Sequence, residues 1–234
     1  MRWAIFPLIL SIANCGVATP YAPSQKREAV SATLGISLSE ANARLAPVLV
    51  RVEPVAESVC RKSTQPGTNC DYAIFVEKRQ DLSANAYQTV DKRGRPLIIL
   101  TSALIAKTRN DDELAFVMGH EAAHHVAGHI TRAKQDAVNG AVVGALLVGA
   151  VGGSGDMVDL AMNIGADVGA RSFSKNYELE ADALGTVIAH RAGYNPVRGA
   201  EFFNRIPDPG DKFLGTHPPN SSRMQVVRNT AAKL

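Results

Sequence analysis

The stretch that decides how this chain is read is Gly119–Ile130, GHEAAHHVAGHI. Four of the six histidines in the 234 residues lie here, at His120, His124, His125 and His129, with Glu121 among them. Just upstream, Asn110-Asp111-Asp112-Glu113 has the form of a helix start, with Asn110 as N-cap and Glu113 completing a capping box. Leu114, Phe116, Val117, Met118 and Val126 supply an apolar face, so a helix is expected from about Asp111 to His129. Positions four apart share one face of a helix. His120 and His124 therefore project side by side, and each can offer a neutral imidazole nitrogen to one metal ion. Glu121, next to His120, can reach a water at that metal and act as general base, which is the logic of H-E-x-x-H. His125 and His129 are also four apart, but Val126 follows His125 where a carboxylate would be needed. They read as packing residues or as supports behind the ligands.

A catalytic metal of this kind takes three protein ligands and keeps one position open. One source of the third is a histidine ten residues after the first, with a glycine between. Those positions are Ile130 and Ala127 here, and His129 is one residue out of register. The other source is a carboxylate on a later helix, and Asn176–Gly185, NYELEADALG, supplies it. Glu178 and Asp182 are four apart and share a face. Glu178 can ligate the metal while Asp182 accepts a hydrogen bond from a ligating histidine, His120, and so fixes its tautomer. Glu180 lies round the far side of that helix and is the poorer candidate.

Together these residues resemble a known family. HEAAH, then Glu-Leu-Glu-Ala-Asp, then Thr216-His217-Pro218-Pro219 and Arg223 are similar to the zinc metallopeptidases related to the CAAX-prenyl endopeptidase. The similarity is greatest to their soluble bacterial envelope members, several of which are lipoproteins. NDDELAFVMGHEAAHHVAGH and GYNPVRGAEFF (Gly193–Phe203) resemble that family throughout, and Asn85-Ala86-Tyr87 resembles its Asn-Ala-Phe segment beside the active-site cleft. The match runs from about Leu38 to Arg228, and Ser174-Lys175 departs from the Ser-Arg common before the ligand Glu. The resemblance implies a gluzincin-type fold, mainly α with a small antiparallel β-sheet (α+β). It implies one zinc ion (Zn2+) per chain, held by His120, His124 and Glu178, with Glu121 as the catalytic base. His217 would face the zinc from its loop and steady the oxyanion, or block the metal at rest, and Arg223 would anchor that loop. The plainer alternatives are a rigid loop at His217-Pro218-Pro219 and a solvated Arg223.

The rest of the chain frames this site. Residues 1–15 read as a signal peptide: Arg2, an apolar run from Trp3 to Ala13 too short to span a bilayer, then a lipobox-like end at Cys15. Asn14 departs from the usual lipobox residue, and plain cleavage after Ala18 is the alternative. Residues 16–37 read as a tether and 38–234 as the metallopeptidase domain. If Cys15 carries lipid, Cys60 and Cys70 remain as a pair around a turn-rich loop that a disulfide can close in an oxidising compartment, the alternative being two free thiols. Helical spacing from Ser39 to Cys60 contains Pro47 and Pro54, which should kink or split it. Tyr72–Val76, Asn85–Val90 and Leu97–Leu100 read as short strands. Residues 137–170, rich in Gly and Ala with almost no charge until Asp156, read as a helical hairpin, with a transmembrane span as the alternative. Helices are also expected from Asn176 to Ala192 and from Asn195-Pro196 onward.

A net charge of +3 without a Lys/Arg block, and only 6% aromatics, exclude a nucleic-acid surface. The activity that the resemblance implies is a zinc endopeptidase of the bacterial envelope. It would be periplasmic and held to the outer membrane by a lipid anchor. Unfolded or damaged envelope polypeptides would bind as an extended strand at the sheet edge, with outer-membrane proteins as possible partners. The rival readings are an envelope chaperone or assembly factor with latent proteolysis, and an integral membrane protease.

Overall fold

The computed structural model describes residues 35–172, 174–208, 210 and 218–234. The signal segment with Cys15, the tether up to residue 34, and His217 lie outside the described residues.

Ser37 caps helix α1, Leu38–Ser63, its hydroxyl accepting from the Glu40 amide at 3.2 Å. Of the kink or split expected from sequence, the split does not occur: the helix runs unbroken through both prolines. Pro47 and Pro54 are two turns apart and both lie on the exposed face, opposite buried Ala41, Leu45, Val48, Val52 and Ala56. On that face water can take the carbonyls that the missing N–H groups leave free. Cys60, near the end of α1, is disulfide-bonded to Cys70 with the Cα atoms 5.7 Å apart, tying α1 to the sheet that follows.

The strands are β1 (Ala73–Val76), β2 (Ala86–Val90) and β3 (Pro96–Leu100), in the order β1-β3-β2. The sheet is mixed, which corrects the antiparallel expectation. β2 and β3 are an antiparallel hairpin, whereas β1 runs parallel to β3 in the register Ala73↔Leu97 to Val76↔Leu100. The reason is burial. β3 carries fully buried Ile98 and Leu100 and takes the centre, paired on both sides. The turn at Asp91–Gly94 already joins β2 to one edge, with Gly94 in the left-handed region at φ 77°. β1 takes the other edge, and residues 77–85 cross past the end of β3 to reach β2.

After α2 (Ser102–Lys107), Asn110 caps α3, accepting from the Glu113 amide at 3.0 Å, while Glu113 accepts from the Arg109 amide at 2.8 Å. α3 spans Asp111–Val126 and stops short of the expected His129. Gly128, at φ 67°, breaks it, and His129 opens α4, His129–Ala150. α4 and α5 (Gly155–Ser172) form the expected hairpin, beginning at His129 rather than residue 137. Small residues let these two helices touch: a Cβ on Gly140 would lie 2.0 Å from the Gly165 carbonyl oxygen. Leu146, Leu147, Val151 and Leu160 on the hairpin are exposed. Among the described residues no helix is long and apolar enough to cross a membrane.

α6 (Ser174–Arg191), α7 (Pro196–Ala200, capped by Asn195), a 3-10 turn (Glu201–Arg205) and α8 (Asn220–Ala231) complete the chain. The main core joins α1, the sheet, α3 and α6 through Val48, Val52, Tyr72, Leu100, Met118 and Ile188. A smaller group, Phe116, Phe203, Met224 and Val227, seats α8. The fold is predominantly helical with a small sheet, in line with the gluzincin-type expectation.

Candidate metal centre

α3 and α6 meet backbone to backbone. A Cβ on Gly119 would lie 2.9 Å from the Gly185 carbonyl oxygen, and one on Gly185 would lie 2.8 Å from the His120 amide nitrogen. Glycine at both places permits this approach, which sets the imidazoles of α3 against the carboxylates of α6. His120 Nε2 and His124 Nε2 are 3.0 Å apart, and the Glu178 oxygens lie 3.6 Å from the first and 3.4 Å from the second. These three residues are the metal-capable cluster among the described residues. The fit to zinc can be tested on these distances. Ligands at about 2.0–2.1 Å from a tetrahedral ion stand roughly 3.3–3.4 Å from one another, close to the separations found. Two imidazoles and a carboxylate are also a donor set that zinc accepts.

The residues behind this cluster are equally defined. Asp182, fully buried, accepts from His120 Nδ1–H at 2.9 Å. Arg223 donates to both Asp182 oxygens at 2.7 Å, and its guanidinium lies 3.9 Å above the Phe203 ring. It is buried, which rules out the solvated alternative. Burial alone would push the Asp182 carboxyl up, but the hydrogen bonds from Arg223 and His120 outweigh it and hold the group below the usual carboxylate range. Burial likewise pulls the His120 imidazolium down, yet the hydrogen bonds to Asp182 and Glu178 prevail and carry it up to about 10.

Two residues set aside in the sequence meet here. The break at Gly128 brings His129 round to His124, Nδ1 to Nδ1 at 2.9 Å, and the far-side Glu180 receives His129 Nε2 at 3.2 Å. The sequence signal was Gly128 alone, as a helix stop. Burial holds the His129 imidazolium below its ordinary range. His125 goes elsewhere, its Nε2 2.8 Å from the Asn69 carbonyl oxygen and its ring edge-on to Tyr72.

The cluster opens into a cleft of about 520 Å³. Asn85 to Gln88, at and beside the start of edge strand β2, line it together with Glu121, Val117, Phe202, Phe203 and Ile206. The site thus combines three convergent donor atoms, a carboxylate outside the ligand set, a strand edge and an apolar wall.

Comparison with known proteins agrees with this geometry. The model of Peptidase family M48 matches residues 50–231. The Beta-barrel assembly-enhancing protease of Yersinia pestis is 31% identical across 58% of this chain and 31% of its own length. The Mitochondrial metalloendopeptidase OMA1 of Arabidopsis thaliana is 28% identical across 56% of this chain and 27% of its own. Metalloprotease LoiP of Escherichia coli (strain K12) is 28% identical across 51% and 49%. The chain spans about a third of the length of the beta-barrel assembly-enhancing proteases it matches. Because the family model covers most of the sequence and the His120, His124 and Glu178 cluster forms inside the matched span, this chain belongs to peptidase family M48.

Proposed function

We propose that this chain is a zinc-dependent endopeptidase of the bacterial cell envelope that removes unfolded or damaged proteins. The observation that carries the reading is the convergence of His120, His124 and Glu178, with Glu121 beside them in a cleft bordered by a strand edge. One zinc ion per chain would be held by these three residues. The chemistry a bound zinc supplies is Lewis-acid polarisation of the scissile carbonyl and acidification of a water. Glu121 would serve as the general base, taking a proton from the attacking water and delivering it to the departing amine. Asp182 holds His120 in the Nδ1–H tautomer, leaving its Nε2 lone pair for the metal. A substrate in extended form adds to the outer edge of β2, unpaired among the described residues, through backbone hydrogen bonds, which favours unfolded chains over any particular sequence. Phe202, Phe203 and Ile206 offer it an apolar wall. His217, which lies outside the described residues, would steady the oxyanion or block the metal at rest.

The envelope setting follows from the Cys60–Cys70 disulfide, which needs an oxidising compartment, and from relatives named for beta-barrel assembly. Cys15 as a lipidated residue would hold the chain at the periplasmic side of the outer membrane, near outer-membrane protein partners. The test is casein cleavage by the purified chain beside Glu121→Gln. The wild type should cut, the variant should not, and both should carry zinc. Cleavage by the variant, or loss of its zinc, would contradict the role given to Glu121.

A further inference from the structure

We propose that His129, held by Glu180, is a positioning residue for the ligand His124, so that both histidine ligands are oriented by carboxylates, one directly and one through a second imidazole. The inference rests on the zinc reading above and adds residues to it.

The argument is one of proton count. His124 Nε2 faces His120 Nε2 and Glu178, so its lone pair must lie on that nitrogen if it is to ligate. Its proton is then on Nδ1, which lies 2.9 Å from His129 Nδ1. Two ring nitrogens at that distance must be one donor and one acceptor. His129 Nδ1 is therefore the acceptor, and its proton sits on Nε2. That N–H meets Glu180 Oε2 at 3.2 Å, and Arg132 donates to the same oxygen at 2.7 Å, keeping the carboxylate an acceptor. Each link allows one tautomer only when the link behind it is present.

The arrangement is built. His129 is 4% exposed and stacks on Tyr177, ring centroids 4.7 Å apart at 22°. Tyr177 is fixed by a short hydrogen bond to Asp136 and by the Arg132 guanidinium 4.4 Å over its ring. Its counterpart at the other ligand is the His120–Asp182–Arg223 line. In both, an acidic residue of α6 is backed by an arginine.

The experiment measures the zinc affinity of the purified chain by chelator competition in four forms: wild type, His129→Leu, His129→Asn and Glu180→Leu. Partners that orient a ligating histidine contribute about 10–100-fold in affinity. His129→Leu should lose that amount. His129→Asn, whose side-chain oxygen can replace Nδ1 as acceptor, should stay within about threefold of wild type. Glu180 is half-exposed, so Glu180→Leu leaves the fold intact; freeing the His129 tautomer should weaken zinc by about threefold or more. Equal affinity in wild type and His129→Leu overturns the inference, as does an Asn variant as weak as the Leu variant, which would mean that His129 serves by packing on Tyr177. If His129→Leu does not fold, an unchanged affinity in Glu180→Leu overturns it. Wild-type chain that binds no zinc sinks the metal reading and this inference together.

Discussion

Substituting Gly185 by alanine tests whether the close approach of α3 and α6 makes the metal site. The added methyl would lie 2.8 Å from the His120 amide nitrogen, 2.9 Å from His120 Cα and 3.1 Å from the Gly119 carbonyl carbon. Relaxed contacts between such atoms are about 3.5–4.0 Å. All three atoms belong to the α3 backbone, so no side chain can swing aside, and the helices must part by roughly 0.7–1 Å. Overpacking of this kind costs about 1–3 kcal/mol. For a chain of this size that lowers Tm by about 2–4 °C per kcal/mol. The effect on the site is larger in proportion, because ligand distances tolerate only about 0.2 Å and Glu178 stands on the helix that moves. Zinc affinity should fall by about 10–100-fold, equivalent to roughly 1.4–2.8 kcal/mol. Thermal melting and chelator competition on the purified chain measure the two effects. Gly149→Ala is the control: its methyl meets nothing within 4 Å, and in the last turn of α4 it should leave zinc binding alone and be neutral or stabilising. A Gly185→Ala chain that melts and binds zinc like wild type would refute the reasoning.

Two further outcomes follow from the same structure. Arg223→Met leaves the Asp182 carboxylate buried without its cation and should cost about 3–5 kcal/mol in chemical denaturation, while adding Asp182→Asn should recover part of that; a loss under about 1 kcal/mol would show that the pair is not strongly coupled. Cys60→Ala/Cys70→Ala opens the loop that closes between α1 and β1, and should lower stability by about 2–3 kcal/mol while leaving the zinc ligands in place, since none lies in that loop; zinc loss at a temperature where the variant is folded would contradict this separation.

Local chemistry made much of the molecule legible from the chain alone. The four-residue spacing of His120 and His124 works on any helix, the Asn110 cap fixes where that helix starts, and Glu178 and Asp182 share a face by the same periodicity. The hairpin in the Gly/Ala-rich segment and the Cys60–Cys70 bridge were likewise open to reading, because helical segments with small residues on one face pair by close contact and two nearby cysteines on a turn-rich loop can reach each other. Tertiary structure decided the rest. Pro47 and Pro54 are tolerated because packing turns their face of α1 to water, which periodicity cannot announce for a proline. β1 runs parallel to β3 because burial drew the most apolar strand to the centre, a competition among strands rather than a property of any one. The partnership of His129 with His124 and Glu180 depends on how far the chain turns at Gly128 and on which side α6 then presents. Spacing along a helix predicts a shared face only while the helix lasts, so where α3 stops, contacts are set by packing between helices.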